Sequence, residues 1–170
     1  DGYFVADDKV ALKRKAGEWH PLFQIIATMA FPLIYGVYLG IAESARDHAV
    51  QIAQRRQGPA RSPHLAGELD TRLRAAQYAH QAMIAVAEEM APSAQSVNEV
   101  MIGRRLVEEN AIRTVELAME LAGGAGFYRG EGLERCFRDV QGARYHPMKR
   151  ETQFLYSGSM ALGDPVAAIF

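Results

Sequence analysis

The sequence predicts an all-α fold, an antiparallel up-down helix bundle, from three observations. After residue 20, apolar residues recur every three or four positions over long stretches, as they do along one face of an α-helix. Residues typical of helix starts and helix ends separate these stretches, and no strand-like run follows Val10. The 170 residues are enough for one domain with its own core. We therefore expect three long helices and two shorter ones.

The first long helix is predicted over residues 32–57, with Pro32 in its first turn, where the missing N–H group costs no helical hydrogen bond. Gly58 and the proline that follows it end this helix. Ser62, also followed by a proline, is the expected N-cap of the second helix, which continues through Met90.

The third helix is predicted to begin at a capping box of Ser96 and Glu99 and to end at Gly123. A glycine-rich loop then leads to a shorter helix over residues 133–142. The last helix is expected over residues 148–162. Together these elements make the bundle.

Charge and cysteine content limit the classes of function and partner. With 19 basic and 20 acidic residues, the chain lacks the positive charge expected of a nucleic-acid-binding protein. The single cysteine, Cys136, excludes an internal disulfide and a cysteine-based zinc site. It suits a reducing compartment, so we expect a cytoplasmic protein. No set of His, Asp and Glu residues has metal-ligand spacing, so no metal site is predicted.

An uncharged stretch over residues 21–42 is about as long as a membrane span. Its helical pattern, however, continues through polar sequence as far as Arg56, and Pro32 lies near the middle of the stretch. Basic residues flank both ends, so no orientation is signalled. We therefore predict a core helix that emerges toward solvent, with no membrane partner.

The first residues differ from the rest of the chain. Residues 3–5 form a short β-prone run, and charged residues follow it. We predict that residues 1–19 are the remnant of a preceding β-domain and a connector, and that residues 20–170 form the C-terminal helical bundle domain. On this interpretation the chain is a piece of a longer protein.

Three features stand out as candidates for chemistry. Gly123, Gly124 and Gly126 exceed what a helix end needs, which favours close approach of a ligand or a neighbouring chain; an ordinary helix cap with a flexible turn is the alternative. His146 lies next to a proline at a helix boundary, where its ring can face a cleft. Arg104 lies on the apolar stripe of the third helix and is expected to extend its charged end to solvent.

Several segments, in order, resemble the acyl-CoA dehydrogenase superfamily. They are FVAD at residues 4–7, LGIAESA at 39–45, GGAGF at 123–127 and LERCFRD at 133–139, where the last two resemble the family pattern GG-x-G-[FY]…R-x-x-R-D. The resemblance implies the C-terminal helical domain of an FAD-dependent protein. It also implies that the flavin lies between a β-domain and this bundle and reaches across a subunit interface.

The resemblance also assigns cofactor-binding residues. Arg56 matches an arginine that points at the flavin diphosphate, and a guanidinium is well suited to anionic oxygens. Gly123 and Gly124 match a turn that lets the backbone approach the dinucleotide. Pro59 and Glu120 replace an aromatic residue and a glutamine of the family pattern. Because a carboxylate repels a diphosphate, we expect either that Glu120 turns away or that this contact differs from the family's.

The family's catalytic base is a glutamate, and this sequence departs from its usual positions. The loop position falls on Pro147 and the helix position falls on Ala30, neither of which can act as a base. A four-residue shift would bring Glu151 into place as the base. Related flavin-dependent monooxygenases carry a histidine in this loop, and His146 resembles it. There the histidine deprotonates a phenol or hydrogen-bonds the reacting flavin.

The resemblance therefore implies two enzymatic functions. The first is α,β-oxidation of an acyl-CoA, to which this domain contributes flavin binding and a subunit interface, with FAD as cofactor. The alternative is an aromatic hydroxylase that uses reduced FMN or FAD supplied by a reductase, and a non-catalytic assembly module is the third class. The candidate catalytic residues are His146 and Glu151. Self-association as a dimer or tetramer is expected in each case, and the fragment alone is expected to be inactive.

Overall fold

The computed structural model describes residues 2–13 and 20–166, and within them it contains no β-strand. The all-α prediction is confirmed. The helices are α1 (Leu22–Gln54), α2 (Pro63–Glu89), α3 (Ala94–Ala122), α4 (Leu133–Val140) and α5 (Arg150–Leu162). The three long helices pack against one another, α4 covers α1 and α3, and α5 packs on α3. Short 3-10 turns connect them, among them Gly58–Arg61 and Gln141–Tyr145.

Helix α1 begins ten residues earlier than predicted, at Leu22, so placing Pro32 in the first turn was wrong. Pro32 is buried inside the helix, where it removes one N–H donor at a typical cost of about 3 kcal/mol. The Pro32 carbonyl also accepts a hydrogen bond of 2.8 Å from Nε2 of His80, which ties this turn of α1 to α2. The apolar pattern before the proline therefore decides where the helix starts.

Helix α3 begins at Ala94, one turn before the predicted capping box. Ser93 is the N-cap, and its Oγ accepts from the backbone N–H of Ser96 at 3.1 Å. The Oγ of Ser96 accepts in return from the Ser93 N–H at 2.8 Å. Ser96 is thus the second partner of the box rather than its first residue. At the other end the helix stops at Gly123, as predicted.

Alanines form the seam between α1 and α3. Ala42, Ala45 and Ala49 are fully buried, and their small side chains let the helices approach closely. The first half of α1 is different, because Leu33 is 77% and Val37 62% exposed. In the described part of the chain, α1 is the one helix long and apolar enough to span a membrane, and 28% of its most apolar window is buried. The uncharged stretch was predicted to be the core part of this helix, but much of it is exposed, and the alanine seam lies in the second half, which was expected to emerge toward solvent.

Residues 2–13 lie outside the bundle. Tyr3 and Phe4 are exposed, and a 3-10 turn follows at Asp7–Lys9. Residues 14–19 of the predicted connector lie outside the described residues. The assignment of residues 1–19 to a preceding β-domain and connector stays a prediction.

Candidate functional site

The loop after α4 is fixed against the aromatic side chains of α1. The hydroxyl of Tyr35 donates a hydrogen bond of 2.6 Å to the Ala143 carbonyl. Next to it, Gly142 leaves room for Tyr38, because a Cβ at that position would lie 2.9 Å from the Tyr38 hydroxyl. These two tyrosines thereby bring His146 back over α1.

The His146 ring is half-buried between both tyrosines. Its Nε2 lies 2.7 Å from the Tyr38 hydroxyl, and its ring centre lies 5.9 Å from that of Tyr35 in an edge-on arrangement. Burial, together with the positive charge of Arg104, lowers the pKa of His146 below its ordinary value. The lowered pKa favours the neutral imidazole, which can accept a proton.

Arg104 does not extend to solvent, so that prediction was wrong. Its side chain is fully buried, and it donates hydrogen bonds of 2.7 Å each to the carbonyls of His146 and Met148. Its guanidinium lies 5.2 Å from the ring centre of Tyr35 and 3.6 Å from the Glu108 carboxylate. Arg104 therefore fixes the backbone on both sides of Pro147, because the two loop carbonyls supply acceptors to its buried Nη1 and Nη2. Its buried Nε has no hydrogen-bond partner within the described residues.

Sequence reasoning identified His146 but missed the residues that hold it. Arg104 carried one signal, a glutamate four residues later at Glu108, which is the spacing of a helical ion pair. Tyr38 carried no local signal, because its contact with His146 joins positions 108 residues apart. Such contacts follow from the packing of α1 against the loop.

Glu151 lies apart from the aromatic environment of the His146 ring. It is an exposed residue in the first turn of α5, where it lines a polar cleft with Arg105 and Lys149. A carboxylate that removes a proton beside a thioester needs a water-poor pocket. The assignment of Glu151 as the catalytic base stays a prediction.

Arg56 and the two glycines meet at the C-terminal end of α3. The guanidinium of Arg56 donates hydrogen bonds to the carbonyls of Leu121, at 2.8 Å, and of Ala122. Gly123 follows with φ +58° and ψ −146°, a conformation that side chains rarely adopt. A Cβ at Gly124 would meet no atom within 4 Å, so this backbone is open to a ligand.

The surroundings of Arg56 bear on its predicted role as a phosphate ligand. Arg56 uses Nη1 and Nη2 for the helix carbonyls, and within the described residues its Nε has no hydrogen-bond partner. Glu120 is turned onto its own helix, where it accepts from Arg113 at 3.1 Å. The Glu120 carboxylate is therefore paired with a cation of its own helix.

The candidate residues form two groups rather than one. Along α3, Arg104 and Ala122 are separated by 18 residues, which corresponds to about 27 Å. His146 belongs to the first group and Arg56 to the second. One compact ligand cannot touch both groups within a single copy of the domain.

A family model described as "Acyl-CoA dehydrogenase, C-terminal domain" matches residues 33–151. The chain belongs to the acyl-CoA dehydrogenase family. The match runs from within α1 to the first turn of α5, so it includes Arg56, both glycines and the His146 loop. The resemblance noted in the sequence is therefore confirmed.

Two curated relatives of this chain are named after different enzymatic activities. The amino sugar nitrososynthase DnmZ of Streptomyces peucetius is 28% identical over 96% of this chain and 43% of its own length. The putative acyl-CoA dehydrogenase YdbM of Bacillus subtilis (strain 168) is 26% identical over 67% of this chain and 32% of its own.

Among solved structures, KijD3 in complex with FMN and dTDP-3-amino-2,3,6-trideoxy-4-keto-3-methyl-D-glucose has a TM-score of 0.81 and 26% identity. The match covers 95% of this chain and 42% of that protein. This chain thus spans less than half of the length of each of these three family members.

We expect the His146 imidazole to titrate below 6.5, its ordinary pKa, in an NMR titration. Because the pKa is lower in the folded state than in the unfolded state, the unfolded chain binds more protons near this value. The contribution of His146 to the free energy of unfolding is thus fully present above pH 6.5. It is lost as the pH falls through the lowered pKa of this residue.

The measurement is the free energy of unfolding between about pH 5 and pH 8. His146→Asn removes this part of the pH dependence, whereas His64→Asn, at an exposed position on α2, serves as the control. An imidazole that titrates at or above its ordinary value contradicts the prediction.

Proposed function

We propose that this chain is the C-terminal domain of a flavin-dependent oxygenase that acts on a small molecule. The observation that carries the proposal is the histidine–tyrosine pair in the loop after α4. Where a dehydrogenase of the family has its base, this chain has Pro147, and the adjacent His146 is held at 2.7 Å from Tyr38. The relative named as an amino sugar nitrososynthase supports an oxidative reaction other than acyl-CoA oxidation.

The flavin prediction agrees with the solved relative, whose structure contains FMN. In this chain we assign a phosphate group of such a cofactor to Arg56, Gly123 and Gly124, because the guanidinium is a donor for anionic oxygens and the glycines permit close approach of the backbone. When bound, reduced flavin supplies two electrons to O2, so that one oxygen atom enters the substrate and the other leaves as water.

His146 is the group suited to move a proton. With Nε2–H donating to the Tyr38 hydroxyl, Nδ1 keeps a lone pair that accepts the proton of a substrate hydroxyl or amine. Arg104 fixes the loop carbonyls, so the imidazole reaches the substrate in one orientation. The substrate is thus expected to carry a phenol or amine at the oxidised position.

Acyl-CoA α,β-oxidation is the second candidate function. The family match and the relationship to YdbM favour it, and Glu151 is then the base. This function requires the start of α5 to move the Glu151 carboxylate out of its exposed cleft.

The two functions give different results in the protein that contains this chain. An oxygenase consumes O2 when it receives externally reduced flavin and an aromatic or amine substrate, and it forms one product per O2. A dehydrogenase instead shows bleaching of its oxidised flavin by an acyl-CoA under anaerobic conditions. Bleaching without any substrate-dependent O2 consumption overturns our proposal.

We further propose that the domain self-associates, acts in the cytoplasm and takes no nucleic-acid or membrane partner. On sedimentation, this chain alone is expected to form species larger than a monomer at micromolar concentration, because α1 exposes apolar side chains such as Leu33 and Val37. Replacing both by glutamate should shift it toward the monomer. The control is a double variant with an equal charge change on α2, Tyr78→Glu with Ile84→Glu, and a clean monomer of the unmodified chain contradicts the prediction.

A further inference from the structure

A polar cleft between α3 and the start of α5 has no role in the function proposed above. It encloses about 360 Å³ and is lined by four cationic side chains. They come from three segments, namely Arg105 on α3, Arg144 in the loop, and Lys149 and Arg150 at the start of α5. Donors from three directions suit a ligand with several acceptor oxygens.

Arg105 has an unused hydrogen-bonding edge. The residue is only 6% exposed, and its Nη1 donates to Glu108 at 2.5 Å. Its Nε and Nη2 are buried and have no hydrogen-bond partner within the described residues. These two atoms form the edge with which a guanidinium pairs bidentately with an oxyanion. Because an unpaired buried donor is costly, this edge points to a ligand that supplies the missing acceptors.

The start of α5 adds further donors to the cleft. Helix α5 has 13 residues, and its N-cap, Lys149, makes no side-chain capping hydrogen bond. The first N–H groups of a helix lack partners within the helix, and the helix dipole favours an anion there. The N-terminus of α5 and the buried edge of Arg105 are independent features of one cleft.

Three carboxylates also line the cleft, but they do not cancel its cations. Glu108 is paired with Arg105 and lies 3.6 Å from Arg104 behind it. Glu109 and Glu151 are exposed, so their carboxylates can turn to water. The lining thus has four cations and three carboxylates, and the carboxylate of Glu108 is held by Arg105.

We propose that this cleft binds a phosphate-type oxyanion, with Arg105 as its anchor. A phosphoryl group offers three terminal oxygens, which match donors from α3, the loop and α5. The site is separate from Arg56, which lies at the far end of α3, and it does not depend on flavin chemistry. The oxyanion is either free phosphate or the phosphoryl group of an organic ligand.

The test is a calorimetric titration of inorganic phosphate into the protein that contains this chain, at constant ionic strength set with chloride. An Arg56→Gln background removes binding at the other end of α3. We expect saturable binding of one phosphate per chain. Arg150→Gln should weaken it about threefold to tenfold, since one charge and one donor are lost.

Two further variants make the result decisive. Arg105→Lys keeps the charge but removes the bidentate edge, and we expect it to weaken binding by at least the same factor. Arg72→Gln, an equal charge change at an exposed site on α2, should leave binding unchanged. Absence of saturable binding, or equal weakening by Arg72→Gln and Arg150→Gln, overturns the proposal. Arg150 lies on the surface, so its replacement should not disturb folding. The comparison of Arg150→Gln with Arg72→Gln therefore tests the proposal even if Arg105→Lys fails to fold.

A second titration uses a nucleoside diphosphate to separate the two sources. Tighter binding than inorganic phosphate, again weakened by Arg150→Gln, assigns the oxyanion to an organic ligand. Equal or weaker binding assigns the cleft to free phosphate. Neither titration depends on oxygenase activity. The anion-binding proposal and the proposed oxygenase function can therefore be disproved independently of each other.

Discussion

Replacing Arg104 by methionine is expected to lower the free energy of unfolding by about 3–5 kcal/mol. The substitution leaves the buried carboxylate of Glu108 with one cation fewer, and it leaves the carbonyls of His146 and Met148 without their donor. Methionine fills similar space, so the loss comes from unpaired polar groups rather than from a cavity. Urea unfolding of the variant and the unmodified protein measures the difference.

Two matched variants define what the Arg104 experiment tests. Arg104→Lys keeps the charge but cannot span two carbonyls, so we expect an intermediate loss of stability. Arg72→Met, at an exposed position on α2, should change stability by less than about 0.5 kcal/mol. If Arg104→Met is as stable as Arg72→Met, the loop does not depend on this guanidinium.

Local sequence predicted most of the fold. Helical periodicity and cap residues placed α2, the end of α3 and α4 within a few residues of their observed limits. The errors lie where tertiary packing overrides local preference. Pro32 lies inside α1, where His80 of α2 binds its carbonyl, and Ser93 begins α3 because Ser96 completes its capping box.

The candidate site was less predictable because it is built from distant positions. Sequence marks His146 and Arg56 as unusual, but their neighbours come from other elements. Tyr38 reaches His146 across 108 positions, and Arg104 reaches the His146 carbonyl across 42. Glu151 looked like a base after a short shift in alignment, whereas its environment depends on where α5 begins. The assignment of roles to His146, Glu151, Arg56, Gly123 and Gly124 stays a proposal.

The largest expected effect on activity is at His146. In the protein that contains this chain, His146→Asn should lower the rate of substrate oxidation by about 10²–10⁴-fold, whereas Glu151→Gln should cost much less. Asparagine retains a hydrogen bond to the Tyr38 hydroxyl but cannot accept a proton near neutral pH. The experiment compares kcat with reduced flavin and O2 for both variants on the substrate that the unmodified protein oxidises.

Tyr38→Phe separates proton transfer from orientation. It removes the hydroxyl 2.7 Å from Nε2 and leaves the imidazole in place, so we expect a smaller loss than for His146→Asn. If His146 is the base, the pH profile of kcat should show an inflection below 6.5, in line with the lowered pKa of this residue. His146→Asn should abolish that inflection, which a purely structural role for the imidazole would not predict.

The dehydrogenase function predicts the reverse order of the two variants. There the carboxylate removes the proton, so Glu151→Gln should cost about 10²–10⁴-fold and His146→Asn much less. Such a reversal, measured with an acyl-CoA under anaerobic conditions, would mean that α5 rearranges when the other domains are present, because Glu151 is exposed in the isolated bundle. The ranking of these two variants therefore decides between the two functions, whatever the identity of the substrate.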